Sequence, residues 1–178
     1  ASAFLEKKGF KNRGVLPVGL DPKPFNKESV ESKYSKESLG IPEQHTTVTY
    51  IGNFEPRRNI AFLLDLAKHL KDQPFSFVLV GAGELFEHAI KFKEENQLLN
   101  LHILERVPQQ ELSQVYAFSD VFLLASDYEI YGMVLIEAMY HSVVPISNIT
   151  AGSESLIENN IDGFLIDNLE LTAWKDKL

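Results

Sequence analysis

Three segments of the 178-residue chain hold residue types that could do chemistry. The first is Gly52-Asn-Phe-Glu-Pro-Arg-Arg-Asn59, where Arg57 and Arg58 are the only Arg or Lys between residues 37 and 67. It reads as a strand-to-helix joint, and positive side chains at a helix N-terminus oppose the helix dipole. They make sense there if an anion also binds, held by a guanidinium and by free backbone N–H groups. Two solvated arginines pairing with nearby carboxylates are the plain alternative. The second segment is Val80-Gly-Ala-Gly-Glu-Leu-Phe86. It follows a strand-like run and opens a helical one, and Glu105 lies about 20 residues on, which invites a dinucleotide reading. Phe86 stands where that fingerprint needs its third glycine, so Gly81 and Gly83 serve equally well as tight-turn glycines.

The third segment, Ser119 to Met139, is the richest. A buried strand runs into an acidic loop, and a helix begins near Tyr131. Gly132 would let a ligand approach the backbone, where free N–H groups and the helix dipole favour an anion. Glu137 falls within the helix among Val134, Leu135, Ala138 and Met139. A carboxylate in an apolar stretch must be paired or hydrogen-bonded, because burying it bare is costly. A vicinal diol such as ribose would supply two donors, while a surface position is the plain alternative. Glu129 could cap the helix start.

Other chemistries are excluded or unsupported. With no Cys there is no thiolate nucleophile, disulfide scaffold or Cys-zinc site, and the absence suits a reducing compartment. The five His are scattered without His-x3-His spacing, no Asp-x-Asp occurs, and no metal or cofactor is expected. Neither Gly-x-Ser-x-Gly nor a P-loop is present. Lys+Arg number 17 against 25 Asp+Glu, a net charge of −8, which argues against nucleic-acid binding. No apolar run approaches the roughly 20 residues of a membrane span, and no secretory signal is visible, so a soluble protein is expected. Lys7, Lys8, Lys11 and Arg13 could at most touch an anionic membrane peripherally.

The elements that must position these residues are legible from periodicity. Residues 1–45 carry eight basic and six acidic side chains, a net +2, against nine and nineteen, a net −10, in residues 46–178. We read 1–45 as a lead-in with a first strand near Val15–Val18 and a weak helix over Glu28–Leu39. From residue 46, short runs rich in Val, Ile and Phe recur at Thr46–Ile51, Phe75–Val80, Leu101–Leu104, Val121–Leu124, Val143–Ile146 and Gly163–Ile166. Runs of this kind suit strands buried on both faces. Helical faces lie between them, at Ile60 to Leu70, Leu85 to Ile90, Leu112 to Tyr116 and Val134 to Met139. The alternation predicts an α/β fold: a Rossmann-like, doubly wound parallel sheet with helices on both faces. Ligands in such sheets sit beyond the carboxyl ends of the strands, where all three segments fall.

In combination and order, these pieces resemble the C-terminal domain of retaining glycosyltransferases of the GT-B fold, in the large group-1 family. Glu129 and Glu137 match its Glu-x7-Glu pattern with the following Ala-Met. Ile51 to Arg58 is similar to its Gly-Arg-x-x-x-x-Lys loop, and Phe77–Glu84 to its strand ending in Gly-x-Gly. Val15–Asp21 is similar to its Pro-x-Gly-x-Asp segment, and Gly152–Ile166 to its Gly-rich turn before Gly-Phe-Leu. The resemblance implies a domain that binds a nucleoside-diphosphate sugar, commonly a UDP-sugar, at Gly52, Asn53, Gly81 and Gly83. Arg58 would steady the diphosphate, and Glu129 would lie near the sugar and phosphates. Ile130, Tyr131, Gly132 and Met133 would offer backbone N–H groups, Glu137 would bind the ribose, and Arg106-Val107 would lie against the base. Arg58 and Glu129 are the expected catalytic pair.

The family's usual Arg is Asn53 here, Ser142 stands where Gly is common, and Ser155 where Glu often is. The resemblance further implies one half of a GT-B enzyme, with a separate N-terminal domain as partner and a glycan or glycolipid as acceptor. The chain alone is then expected to bind nucleotide without transferring sugar. The readings that compete are a nicotinamide-dependent oxidoreductase built on Gly81 and Gly83, and a non-enzymatic α/β binding module.

Overall fold

The computed structural model describes residues 7–8, 19–21 and 33–178. The strand expected near Val15–Val18 and the first part of the helix expected over Glu28–Leu39 lie outside the described residues. Of that helix, α1 (Lys36–Leu39) is described. Ser35 caps it reciprocally with Ser38, and Gly40 ends it in the left-handed region at φ 69°.

The elements then alternate. They are β1 (Thr46–Ile51), α2 (Ile60–His69), β2 (Phe75–Val80), α3 (Phe86–Glu95), β3 (Leu101–Leu104), α4 (Leu112–Ala117), β4 (Val121–Leu124), α5 (Met133–Tyr140), β5 (Val144–Asn148), α6 (Ala151–Glu154), β6 (Phe164–Ile166) and α7 (Leu171–Lys175). The six strands form one sheet in the order β3-β2-β1-β4-β5-β6, and every pairing is parallel. Their apolar runs are buried because crossover helices cover the sheet. Phe77, Val78, Phe122, Leu123 and Ile146 are at most 1% exposed. α2 buries the predicted stripe of Ile60, Leu63, Leu64 and Ala67.

Two strands start later than the residue pattern indicates. Val143 donates its N–H to Ala138 O and so closes the end of α5, leaving Val144 to begin β5. Gly163 makes an isolated bridge to Asn159, and a side chain there would meet Pro145 Cγ at 2.7 Å. β6 accordingly starts at Phe164. The helix expected near Tyr131 begins two residues later, because Gly132 takes a left-handed conformation, φ 65°, as its N-cap.

The strand order matters for function. The chain runs outward from β1 to β3, returns, and runs outward again from β4 to β6. Right-handed crossovers therefore place the two runs of helices on opposite faces, so the chain leaves β1 and β4 towards opposite sides of the sheet. The crevice of a doubly wound sheet opens at such a reversal, here between β1 and β4.

Candidate active site

The loop after β1 and the loop after β4 meet across this reversal. The first passes through a 3-10 turn, Pro56–Arg58, and then Asn59 in the left-handed region at φ 53°. Asn59 Nδ2 donates to Ala125 O at 2.8 Å and to Asp127 Oδ1 at 2.6 Å, and Asp127 N donates to Arg57 O at 2.8 Å. These bonds tie the two loops together and fix the backbone on either side of Arg58.

Arg58 Nη1 donates to Glu129 Oε2 at 2.5 Å and to Ser126 Oγ at 3.0 Å. Both partners of the ion pair are only 17% exposed. Glu129 also accepts from Ile130 N at 3.2 Å, through Oε1, and from Gly132 N. Burial pushes its carboxyl up, but the Arg58 guanidinium and the two backbone N–H groups outweigh that and hold it below the usual carboxylate value. Glu129 is therefore ionised at neutral pH. Three donors, a guanidinium and two loop amides, converge on one anion beside the entrance of α5. α5 has no side-chain cap, so its first-turn N–H groups, at Met133 and Val134, point back towards this loop. The carboxylate thus already occupies two of the loop amides expected to face phosphate. The backbone of Glu129 is held in turn by Gly152, whose N–H donates to Glu129 O at 2.8 Å. A Cβ on Gly152 would stand 3.0 Å from that same oxygen.

Arg57, by contrast, turns away. It pairs with Glu55 at 2.8 Å and lies over the Tyr128 ring. Of the two adjacent arginines, Arg58 alone enters the convergent site.

Glu137 lies five residues beyond Gly132, roughly 7.5 Å down the axis of α5. It is 8% exposed, and its Oε2 accepts from Tyr116 Oη at 3.0 Å. Burial raises its carboxyl pKa, and the tyrosine bond partly offsets this. The partner required for a carboxylate in this apolar stretch is therefore Tyr116 of α4. Glu137 makes no contact with Arg58 or Glu129 among the described residues, so the site has two centres joined by the first turns of α5.

Other expected site residues are placed differently. Gly81, φ 153°, and Gly83, φ 151°, face the first loop. A Cβ on Gly81 would stand 1.8 Å from Gly52 O, and one on Gly83 2.6 Å from Phe54 O. Hydrogen bonds from Phe54 N to Ala82 O and from Leu85 N to Phe54 O seal the contact. These glycines let the loop after β2 support the loop after β1. Close backbone packing on the Cβ side of both positions accounts for Gly81 and Gly83 without a dinucleotide. Gly81→Ala is expected to cost about 1–3 kcal/mol through overpacking against rigid backbone, and to lower the melting temperature by several degrees in calorimetry.

Asn53 donates from Nδ2 to Glu55 Oε1 at 3.2 Å, and its carbonyl accepts from Tyr50 Oη at 2.8 Å. Arg106 is exposed at the end of β3, two strands from β1, and makes no hydrogen bond or ion pair among the described residues; Val107 packs into the core. Tyr131 and Ile130 are exposed beside the α5 entrance. Ser142 has φ 62°, so it stands in a backbone conformation that favours the glycine it replaces.

Ser126 and Tyr116 escaped the sequence reading. Ser126, fully buried, carries no charge or motif to mark it. Tyr116 reads as one more apolar position of α4. Among the described residues no three His, Cys, Asp or Glu side chains gather as a metal-binding group, and no helix is long and apolar enough to cross a membrane. A hollow lined by Lys71, Asp72, Glu95, Asn96, Gln97 and Leu99 lies at the opposite, amino end of the sheet and includes none of these residues.

A six-stranded parallel sheet, reversed between β1 and β4, with an anion-holding cluster at that reversal, defines a Rossmann-like domain of the nucleotide-binding kind. The family described as "Glycosyl transferases group 1" matches residues 31–178, and the chain belongs to it. UDP-Gal:alpha-D-GlcNAc-diphosphoundecaprenol alpha-1,3-galactosyltransferase of Escherichia coli is 27% identical over 169 residues, 92% of this chain and 43% of that protein. N-acetyl-alpha-D-glucosaminyl L-malate synthase of Bacillus anthracis is 29% identical over 147 residues, 80% of this chain and 37% of that one. The chain thus spans about two-fifths of the length of these curated relatives.

Among solved structures, HepE of Anabaena in complex with UDP-glucose superposes with a TM-score of 0.75 at 19% identity, covering 89% of this chain and 44% of that one. WaaG, a glycosyltransferase involved in lipopolysaccharide biosynthesis, gives a TM-score of 0.73 at 17% identity, covering 92% and 45%. The fold is that of one Rossmann-like half of such GT-B enzymes.

Proposed function

We propose that this chain binds a nucleoside-diphosphate sugar, a UDP-sugar, and serves as the donor half of a retaining hexosyltransferase. The observation that carries this reading is the convergence of Arg58 and the Ile130 and Gly132 amides on a single anion, Glu129, beside the uncapped α5 entrance at the reversal of the sheet. Donors that hold a carboxylate there also suit a phosphate. In the complex the diphosphate takes over these donors, and Glu129, released from Arg58, faces the sugar. The ribose reaches Glu137 further along α5. UDP-linked donors are chosen because the E. coli relative and the HepE complex are both described with one.

The chemistry follows from charge. As the glycosidic bond to the diphosphate breaks, negative charge grows on its oxygens, and donors already in place there lower the barrier more than they tighten substrate binding. The hexosyl group passes to an acceptor hydroxyl with retention of configuration. The acceptor, a glycan or glycolipid, is held mainly by an N-terminal domain facing this one across a cleft. No divalent cation is needed in this scheme, because Arg58 and the α5 entrance meet the phosphate charge. The absence of Cys suits a reducing compartment, so we place the reaction in the cytoplasm, with peripheral membrane contact at most.

A thermal-shift panel of UDP, GDP, ADP and NAD, each with EDTA present, tests the reading. UDP at 100 times its dissociation constant is expected to stabilise the chain by about 2.7 kcal/mol, a rise of roughly 5–10 °C. A larger shift with NAD, or none with any nucleotide, would sink it; a shift that EDTA abolishes would overturn the cation-free scheme.

A further inference from the structure

We infer that Tyr116 is a positioning residue for donor binding: it pins one oxygen of Glu137 so that the other faces the nucleotide's ribose. This rests on the ribose role proposed above for Glu137 and names the group that makes that role possible. Tyr116 belongs to α4 and Glu137 to α5, 21 residues apart in the chain. Their hydrogen bond, 3.0 Å from Tyr116 Oη to Glu137 Oε2, is buried, with Tyr116 1% and Glu137 8% exposed.

The polarity of the bond is fixed. Burial first, and the neighbouring Glu137 charge second, push ionisation of the phenol far above its usual value. Wherever Glu137 is ionised, Tyr116 is therefore the donor and the carboxylate the acceptor. The ring that carries the hydroxyl is itself held on two sides. It stacks on His141, with centroids 5.1 Å apart and planes 10° apart, and packs at a tilt against Phe122 at 6.1 Å. His141 directly follows α5, so the same helix that carries Glu137 also clamps the tyrosine that orients it.

Two consequences follow. Glu137 Oε1 accepts no bond from the described residues, so it is the oxygen left for a ligand hydroxyl. The carboxylate cannot rotate freely without breaking a buried hydrogen bond, so its orientation is set before the ligand arrives. Preorganisation of this kind raises affinity by removing an ordering cost from the binding step.

The test compares UDP with 2′,3′-dideoxy-UDP by calorimetry on the full 178-residue chain. In the unaltered chain UDP should bind more tightly than the dideoxy analogue; equal binding would defeat the ribose role of Glu137 itself. Tyr116→Phe is expected to weaken UDP about tenfold and leave the dideoxy analogue unchanged. In a Glu137→Ala background the same substitution should change UDP affinity less than twofold. In the full-length enzyme it should raise the donor KM and leave kcat nearly constant, because the ribose contact is made equally in ground and transition states.

Equal losses for the two nucleotides, no loss for either, or a fall in kcat alone would overturn the proposal. Should Tyr116→Phe melt too low to titrate, Glu137→Gln carries the same question. With Tyr116 donating to the amide oxygen, the NH2 group faces the ribose and cannot accept from its hydroxyls, so UDP affinity should fall. Near-unaltered UDP affinity in Glu137→Gln would mean that the ribose needs no outward acceptor held in place by Tyr116, and the proposal would be refuted.

Discussion

Arg58→Ala is expected to lower turnover of the full-length enzyme by a factor on the order of 10² or more. Removing one preorganised donor from developing oxyanion charge typically costs about 2.7–4 kcal/mol in the barrier. Two features place Arg58 near the upper end. It is largely buried, with a side chain 17% exposed, so water cannot replace its charge. It also arrives fully positioned, since Asn59 and Asp127 fasten its loop to the loop that carries Glu129. Truncation has a second cost: Glu129, equally buried, loses its cation and keeps only the backbone donors, so its pKa rises. The adjacent arginine supplies the control. Arg57 is bound to Glu55 and lies over Tyr128, outside the convergent site, so Arg57→Ala should change turnover no more than about threefold. Steady-state kinetics on both variants, with melting temperatures measured alongside, separate the two arginines. Equal rates for Arg58→Ala and the unaltered enzyme would place that residue among solvated surface charges and remove the diphosphate from this position.

The parts of this arrangement that were legible in the sequence are those set by burial alone. The run Phe75 to Val80 is apolar on both faces because helices cover both faces of the sheet, and its bounds are those of β2. The demand that Glu137 be paired followed from the cost of burying a bare charge, and it is met. What could not be read was which residue meets it. Tyr116 sits at a core position of α4, and its hydroxyl is of use only because α4 and α5 lie side by side, a tertiary fact that periodicity does not carry. Ser126 is invisible for the same reason: a lone serine after a strand has no signature until Arg58 is seen to reach it from the loop after β1. The glycines at 81 and 83 show the opposite limit. Their pattern was visible but ambiguous, and only the 1.8 Å approach to Gly52 O shows that they fit backbone to backbone. The start of α5 was misplaced by two residues because a left-handed N-cap interrupts the apolar rhythm without changing it.

Glu137→Ala is expected to weaken UDP binding by a factor of about 10 to 10², the loss of a hydrogen bond to a charged group of about 1.5–3 kcal/mol. The structure gives reason to expect the effect without loss of the fold. Truncating Glu137 removes a buried charge whose own protonation is raised by burial, so the desolvation it imposes on α5 disappears with it. Tyr116 Oη loses its acceptor, which offsets part of that gain and keeps the net change in stability small. Affinity and stability should therefore separate: the dissociation constant for UDP rises steeply while the melting temperature of the free chain moves by only a few degrees. The same variant should discriminate poorly between UDP and its 2′,3′-dideoxy analogue, since the group that distinguishes them is gone. Arg58→Ala should behave in the complementary way, keeping the preference for the ribose hydroxyls while losing affinity for the diphosphate. The two centres, one at the entrance of α5 and one five residues along it, then act on different parts of one ligand, and the combined variant should lose the sum of the two binding energies because the side chains share no contact. Strong non-additivity between Arg58→Ala and Glu137→Ala would mean that they do not read separate groups of a nucleoside diphosphate lying along α5.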